Sequence, residues 1–201
     1  LSVSLESILH EIILVKNFET GKYHHTSNII HSAGGRGIDV AKSIVSLGGR
    51  VIVTGFIGGK AGQIIKLLLF KTSIPFNFVE IKQESARNQI IFDTHKDIKT
   101  FIKSESPLIN KKDIQNFTRL FRSLIKESHL VCFSGALLPG MPDDFYQEMI
   151  RSCEKQMVPT ILNVSQDSFF NALKGNPFFA IATKEQLEKK SKKKLNAVSD
   201  I

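Results

Sequence analysis

The sequence predicts an α/β protein with a parallel sheet, helices on its faces and a small β lid over one end. The first observation is that segments of strand type and helix type alternate after residue 50, as they do when crossover helices join parallel strands. The second is that residues 11–16, 88–92 and 99–103 form half-polar strands with no long helix between the last two, which is typical of a separate sheet.

Apolar periodicity predicts the elements of the main sheet in order. Short apolar runs bounded by breakers predict strands, and longer runs with one apolar face predict helices. A glycine-rich segment leads into the first helix, which runs through Ile44, Val45 and Leu47. The order is then strand 51–56, helix 61–70, strand 76–81, helix 111–126, strand 129–133, helix 143–154, strand 160–164, helix 167–173, an apolar stretch 178–181 and a last helix through Glu185.

The composition is that of one globular domain, which we place at residues 1–201 with lid strands from about 11–31 and 87–103. Of these residues 42% are apolar and 23% are charged, which suffices for one core. No apolar run reaches the roughly 18 residues that a membrane span needs, and no signal peptide is evident, so we expect a cytoplasmic protein that does not bind membranes. Cys132 and Cys153 lie in apolar stretches and are expected to be reduced.

The net charge of +8 includes a cluster of six lysines near the carboxyl end. A solvated helix face explains such a cluster better than a nucleic-acid surface. The chain has no Trp and two Tyr, so it lacks the aromatic platforms common in nucleic-acid readers, and we expect no nucleic-acid partner. The charge suits small anionic substrates equally well. The six are Lys184, Lys189, Lys190, Lys192, Lys193 and Lys194.

The strongest local signal is the segment 33–41, Ala-Gly-Gly-Arg-Gly-Ile-Asp-Val-Ala. Three glycines in four positions let a backbone approach a ligand closely, and the following helix offers its first amides to an anion. Arg36 adds a fixed positive charge. The alternative is that these glycines serve only the turn before the helix.

A second signal is the segment 132–142, Cys-Phe-Ser-Gly-Ala-Leu-Leu-Pro-Gly-Met-Pro. It follows a predicted core strand, and ligands of open α/β sheets bind at the carboxyl ends of strands. A loop with ordinary breakers at Gly135, Pro139, Gly140 and Pro142 is the alternative.

Two other sets of polar residues are better explained by structural roles than by functional ones. His24, His25 and His31 lack the accompanying Cys or carboxylate spacing of a metal site, so we expect surface or packing histidines. Asp143 and Asp144 follow Pro142 at the start of a predicted helix, where their charges complement the helix dipole.

Together these segments resemble the motifs of PfkB-family, ribokinase-like carbohydrate kinases, most closely tagatose-6-phosphate kinase and 1-phosphofructokinase. Segment 34–41 resembles the Gly-Gly-Lys-Gly-x-Asn-Val-Ala signature, and 134–142 resembles the Ser-Gly-Ser-Leu-Pro-x-Gly loop. Residues 84–88, Glu-Ser-Ala-Arg-Asn, are similar to the Glu-Thr-Arg-Asn of tagatose-6-phosphate kinases, and residues 2–5 are similar to the family's first strand. The similarity extends to about residue 190, with the motifs in the family's order.

The resemblance implies a phosphorylated hexose as substrate and ATP with Mg²⁺ as cofactors. It also allows a homodimer through the lid. No catalytic or metal-binding residue is assigned. Carried over by position, the substrate-binding residues are Gly34, Gly35, Arg36, Gly37, Asp39, Arg87, Asn88 and Ser134, and the nucleotide-binding residues are Thr183 and Glu185.

Several positions depart from the family pattern. The aspartate expected to accept hydrogen bonds from sugar hydroxyls is His10, and the signature asparagine is Asp39, which cannot donate a hydrogen bond when ionised. The asparagine expected near the nucleotide is Thr183. The family's Gly-Ala-Gly-Asp, which supplies an anion hole and the catalytic base, is expected beyond residue 201.

The resemblance therefore predicts a ribokinase-like fold that is incomplete at its carboxyl end. Its activity would be ATP-dependent phosphoryl transfer to a hydroxyl of a phosphorylated ketohexose, such as tagatose 6-phosphate or fructose 1-phosphate. The competing hypothesis is an inactive remnant or pseudokinase that binds a ligand or partner without turnover. A third is that the chain is a piece of a longer polypeptide.

Overall fold

Two β-sheets and six α-helices make up the computed structural model, which describes residues 1–26, 28–191 and 194. The strands are β1 Ser2–Glu6, β2 Ile8–Val15, β3 Ile29–Gly34, β4 Val53–Gly58, β5 Val79–Ile81, β6 Ala86–Asp93, β7 Ile98–Lys103, β8 Val131–Gly135, β9 Thr160–Val164 and β10 Phe179–Ala180. The helices are α1 Arg36–Ser46, α2 Gly59–Lys71, α3 Lys111–Leu124, α4 Phe145–Glu154, α5 Gln166–Leu173 and α6 Lys184–Ser191, with a 3₁₀ turn at Ile125–Glu127.

The large sheet has six parallel strands in the order β10-β9-β8-β1-β4-β5. The prediction of a parallel sheet covered by helices is confirmed. From β1 the chain builds outward through β4 and β5, then returns to the other side of β1 with β8, β9 and β10. The strand order therefore reverses between β1 and β8, and the carboxyl ends of these two strands flank the reversal.

Two apolar cores cover the faces of the large sheet. On one face, α3, α4 and α5 bury a cluster of phenylalanines whose ring centroids lie 5.1 to 6.0 Å apart, which is the spacing of favourable aromatic pairs. On the other face, α1 and α2 bury a smaller aliphatic cluster that includes Ile38 and Ile65. The aromatic cluster comprises Phe56, Phe117, Phe121, Phe133 and Phe145.

The short strand β1 determines where its neighbours in the large sheet begin. The predicted strands 51–56 and 129–133 begin two residues later in the structure, at Val53 and Val131. Ser2, the first residue of β1, pairs with Val53 and Cys132, so residues earlier in the neighbouring strands have almost no β1 partner. The predicted strand 76–81 is reduced to β5 and a single bridge between Val53 and Phe76.

The small sheet has the order β3-β2-β6-β7, with β2 and β6 parallel and the outer pairs antiparallel. Strand β2 begins at Ile8, three residues before the start of the predicted strand 11–16. Strand β3, which leads directly into the glycine-rich segment, was expected to be loop or lid. Leu9 and Ala33 at one end of this sheet are buried in the aliphatic core with α2, which joins the two sheets.

The far end of the small sheet is tied by Asp93, which is almost fully buried. Its carboxylate accepts hydrogen bonds from the backbone amides of Asn17, Phe18, His95 and Lys96, at 2.8 to 3.3 Å. Burial acts to raise the pKa of Asp93, but these four hydrogen bonds outweigh it and lower the pKa to about 2. One side chain thus fixes the two loops that close this end of the sheet.

No helix among residues 1–26, 28–191 and 194 is both long and apolar enough to cross a membrane. Of the lysine cluster, Lys184 and Lys189 lie in α6, whereas Lys192 and Lys193 lie outside the described residues.

Candidate functional site

Ligands of open α/β sheets bind where the strand order reverses, outside the carboxyl ends of the strands. Here that place is the space bounded by the ends of β1 and β8 and by the start of α1, which we call the β1–β8 crevice. Both motifs singled out in the sequence end at it.

The glycine-rich segment places the first turn of α1 directly on β1. A Cβ added at Gly37 would lie 2.6 Å from the carbonyl oxygen of Val3 and 2.7 Å from the Cβ of Ser4. The hydroxyl of Ser2 donates a hydrogen bond to the Gly37 carbonyl at 2.7 Å. The close packing therefore requires glycine at this position, and it fixes Arg36, the first residue of α1, at the end of β1.

Arg36 also borders the second motif. Gly135, at the end of β8, has φ of +102°, which favours glycine, and a Cβ there would lie 4.0 Å from the Cβ of Arg36. Arg36 is exposed, so its guanidinium is available to an anion in the crevice. The structure thus brings together two segments that lie about a hundred residues apart in the chain.

Tyr146 anchors the loop after β8 through a hydrogen bond. This side chain is fully buried, and its hydroxyl donates to the carbonyl oxygen of Ala136 at 3.4 Å. Burial raises the pKa of Tyr146, so the hydroxyl remains a hydrogen-bond donor at all ordinary pH values. Ser134 is buried, with its oxygen 3.5 Å from the sulfur of Cys132.

A cavity of about 360 Å³ lies beside this loop. It is bounded by Asp143 and, from the start of α5, by Ser165 and Ser168. Asp144 is the residue that precedes α4, but its side chain makes no capping hydrogen bond. The two acidic residues therefore lie at the start of α4, as the sequence predicted, without a capping contact from Asp144.

Arg87 and Asn88 project from opposite faces of the small sheet, because they are consecutive residues of β6. Arg87 lies beside Leu9 and donates hydrogen bonds to Glu84 at 3.0 Å and Glu11 at 3.4 Å. Asn88 lies beside His10, on the face that the side chain of Lys103 shares. The two side chains predicted to contact one substrate are thus separated by the sheet.

Glu84 links Arg87 to the start of α2. Its carboxylate accepts hydrogen bonds from the amides of Ala61 at 2.6 Å and Lys60 at 3.1 Å. The bond from Ala61 is the main cause of the lowered pKa of Glu84, and Arg87 adds to it. The roles of Glu84 and Glu11 could not be predicted from the sequence, because their pairing with Arg87 depends on how β2, β6 and α2 are placed next to one another.

Asp39 is exposed in the first turn of α1 and forms an ion pair with Lys42 at 3.3 Å. Lys42 also donates to the carbonyl oxygen of Ala33, beside the crevice. Asp39 therefore carries its own counter-ion, which reduces its repulsion of an anionic ligand. Gly34 is the last residue of β3, and Gly35 joins it to the first residue of α1.

Thr183 and Glu185 lie at the start of α6, after the edge strand β10. Thr183 accepts a hydrogen bond from the amide of Gln186 at 3.2 Å, and its own amide donates to the Gln186 side chain at 2.7 Å. This is a capping box. Since β10 is two strands from β8, Thr183 follows a strand roughly 10 Å from the one that ends at Gly135.

No group of three or more His, Cys, Asp or Glu residues in the described part of the chain is arranged to hold a metal ion. His24 contacts the backbone of Glu19, and His31 lies 3.6 Å from Glu11. Cys132 and Cys153 are free thiols. Burial raises the pKa of Cys153 to about 12, so this thiol is inert at neutral pH.

Known structures share this fold. A "possible 1-phosphofructokinase" from Thermotoga maritima superposes with a TM-score of 0.82 at 24% identity, over 94% of this chain and 66% of that one. Phosphofructokinase-2 from Escherichia coli in complex with fructose-6-phosphate gives 0.87 at 20% identity, over 98% and 65%. Its tetrameric inhibited form gives 0.86 at 21%, again over 98% and 65%. The chain thus spans about two thirds of the length of each of these relatives.

These identities are low enough that the superpositions support the fold alone. The family assignment comes from the sequence profile of the pfkB carbohydrate kinases, which matches residues 3–201. That match includes both motifs at the β1–β8 crevice and nearly the whole of both sheets. The chain belongs to the pfkB family of carbohydrate kinases.

Proposed function

We propose that the protein is an ATP-dependent sugar-phosphate kinase that transfers the γ-phosphoryl group to a hydroxyl of a phosphorylated ketohexose. One observation carries the proposal: the glycine-rich segment and the loop after β8 meet at the reversal of strand order, with Arg36 exposed between them. Tagatose 6-phosphate and fructose 1-phosphate are the substrates we favour from the motifs. The fructose-6-phosphate complex of the Escherichia coli relative supports a hexose phosphate as ligand.

In this proposal Arg36 binds the phosphate group of the sugar. A guanidinium can hold a phosphate through two parallel hydrogen bonds, and the first amides of α1 are close by. Gly34, Gly35 and Gly37 shape the sugar side of the crevice, with Asp39, Asn88 and Ser134 as polar partners. Arg87 lies on the opposite face of the small sheet from Asn88 and is bonded to Glu84 and Glu11, so Arg36 is the phosphate-binding arginine in this proposal.

ATP and Mg²⁺ are the cofactors that the family implies. Thr183 and Glu185 remain our predicted nucleotide contacts, but Thr183 already uses its amide and its hydroxyl oxygen in the cap of α6. While the cap is formed, these two groups of Thr183 do not fit a nucleotide contact.

A second candidate is a family member that binds the sugar phosphate without turnover. The capping role of Thr183 favours it, as does the presence of His10 where the family has a carboxylate. The two candidates share the ligand site and differ in activity. They are separated by measuring binding and ATP consumption on the same preparation.

Calorimetric titration with tagatose 6-phosphate and fructose 1-phosphate tests the shared site. Arg36→Ala should weaken binding by about 10- to 100-fold, because a hydrogen bond to a charged group contributes about 1.5–3 kcal/mol. Arg50→Ala is the matched control, since Arg50 is exposed and precedes β4, at the opposite end of the strands. Equal binding by the Arg36 and Arg50 variants would contradict the proposed site.

A coupled ATP-consumption assay then decides between the two candidates. Turnover of about 1–100 s⁻¹ with either hexose phosphate is the ordinary range for kinases and would establish the enzyme. Binding without turnover would establish the second candidate for this chain alone. The cytoplasmic location expected from the sequence remains a prediction.

We also propose a homodimer through the small sheet. A row of four apolar side chains crosses its strands in register, and its outer members Ile30 and Phe101 are 51% and 58% exposed. Such a row is typical of a protein interface. The row consists of Ile30, Ile12, Ile90 and Phe101.

Sedimentation velocity tests the dimer. The wild-type protein should sediment as a dimer and Phe101→Lys as a monomer, because a charge in the row would be buried on association. Leu67→Lys is the control, since Leu67 is a similarly exposed apolar residue on α2. A monomeric wild-type protein at micromolar concentration, or a dimeric Phe101→Lys, would contradict the proposal.

A further inference from the structure

His10 lies on β2 with its imidazole ring over Gly34. A Cβ added at Gly34 would lie 2.0 Å from Nε2 and 2.2 Å from Cδ2 of this ring. The ring therefore occupies the space that the absence of a side chain at Gly34 leaves open. Gly34 precedes Gly35 and Arg36, so this space lies at the edge of the β1–β8 crevice.

The ring is held there by packing. His10 forms no hydrogen bond or ion pair with any residue in the described part of the chain, and its Nδ1 is buried without a partner. A buried polar atom without a partner raises the free energy of the folded protein, and a hydrogen bond to water or to a ligand would lower it again. No polar contact with the described residues therefore holds the ring over Gly34.

Charged groups surround the ring without binding it. Burial is the main cause of the lowered pKa of His10, Asp39 acts against it, and Lys42 and Lys103 add to it. Burial thus favours the neutral form of the imidazole. It can leave its position without breaking an ion pair.

We propose that His10 is a specificity-determining residue, whose imidazole plugs the sugar side of the β1–β8 crevice over Gly34. This inference rests on the proposed function, and in it the ligand site has two parts. The phosphate end at Arg36 is open, and the sugar end is open only when the ring has moved. A hexose phosphate must displace the imidazole, whereas inorganic phosphate binds without doing so.

The affinity for a hexose phosphate is then reduced by the fraction of molecules in which the ring has moved. If that fraction is about 1–10%, as is common for minor conformers, removing the ring raises the affinity by about 10- to 100-fold. Inorganic phosphate should show no such gain. This difference between two ligands separates a plug from a general change in the charge of the site.

The experiment titrates the full chain with fructose 6-phosphate and, separately, with inorganic phosphate, using wild-type protein, His10→Ala and His10→Ser. The serine variant removes the ring with a different residue, in case the alanine variant folds poorly. His31→Ala is the control, because His31 is an exposed histidine on the opposite face of the same sheet. Circular dichroism confirms that each variant is folded.

We expect both His10 variants to bind fructose 6-phosphate at least 10-fold more tightly than wild type, with unchanged affinity for inorganic phosphate. Equal or weaker binding of fructose 6-phosphate would overturn the plug and leave the proposed function standing, provided that the wild type binds. An equal gain for both ligands would also overturn it. Absence of fructose 6-phosphate binding by every variant would remove the plug, whereas the titrations with tagatose 6-phosphate and fructose 1-phosphate would still decide the proposed function.

Discussion

Replacing Gly37 by alanine tests how α1 is seated. In an ordinary helix a Gly→Ala change stabilises by up to about 1 kcal/mol. At Gly37 the new methyl group would lie 2.6 Å from the Val3 carbonyl oxygen and 2.7 Å from the Ser4 Cβ. Val3 belongs to β1, which is paired on both sides within the large sheet, so it cannot move aside.

Overpacking of this kind costs about 1–3 kcal/mol, and contact with backbone places Gly37→Ala at the upper part of that range. The clash should outweigh the gain in helix propensity and leave a net loss of about 1–2 kcal/mol. The substitution also disturbs the hydrogen bond from Ser2 to the Gly37 carbonyl.

Urea unfolding followed by circular dichroism measures the change. Ser46→Ala is the control, because Ser46 is exposed in the last turn of the same helix and should change the unfolding free energy by less than about 0.5 kcal/mol. Gly37→Ala should also weaken hexose-phosphate binding, since it displaces Arg36. A Gly37→Ala protein as stable as wild type would show that α1 does not rest on β1 and would refute the placement of Arg36.

Three further substitutions test other parts of the structure. Asp93→Asn should destabilise the protein near neutral pH, because the pKa of Asp93 falls from 3.8 to about 2 on folding. The contribution of a carboxylate with a lowered pKa is complete above pH 3.8 and is lost as the pH falls through about 2, so the wild type and Asp93→Asn should converge in acid unfolding experiments. A constant difference down to pH 2 would contradict this. Thr183→Ala should cost about 0.5–2 kcal/mol locally, seen as faster amide hydrogen exchange confined to α6, and unchanged exchange would argue against the capping box. Phe133→Ala should cost about 3–5 kcal/mol in urea unfolding because Phe133 is fully buried among aromatic rings, whereas Phe70→Ala, which is 76% exposed, should be nearly neutral.

The sequence predicts the bounds of an element well when they depend only on residues that are neighbours in the chain. Strand β9 has the predicted bounds, 160–164, because a short apolar run between Pro159 and a polar segment can form only one strand. The bounds of β4 and β8 could not be predicted, since they depend on where β1 begins. The predicted lid range 11–31 includes only the first residues of β3, because the last residues of this strand belong to the glycine-rich segment, which resembles a turn.

The candidate site divides in the same way. Successive residues of a strand point to opposite faces, so the sequence could have predicted that Arg87 and Asn88 are on different faces of the sheet. The capping box could also have been predicted, because Gln186 follows Thr183 by three residues. The ring of His10 over Gly34 was not available. It is a contact between neighbouring strands that depends on the register of β2 and β3.

The central claim is that a hexose phosphate binds in the β1–β8 crevice. Backbone amide chemical shifts, recorded while fructose 6-phosphate is added to isotope-labelled protein, test it most directly. We predict that the largest changes occur at residues 34–40 and 134–136. A second cavity, of about 450 Å³, lies at the opposite end of the strands and includes Met157, Pro159 and Phe178. Changes centred on that cavity, or no changes at residues 34–40 when the ligand is saturating, would contradict the account.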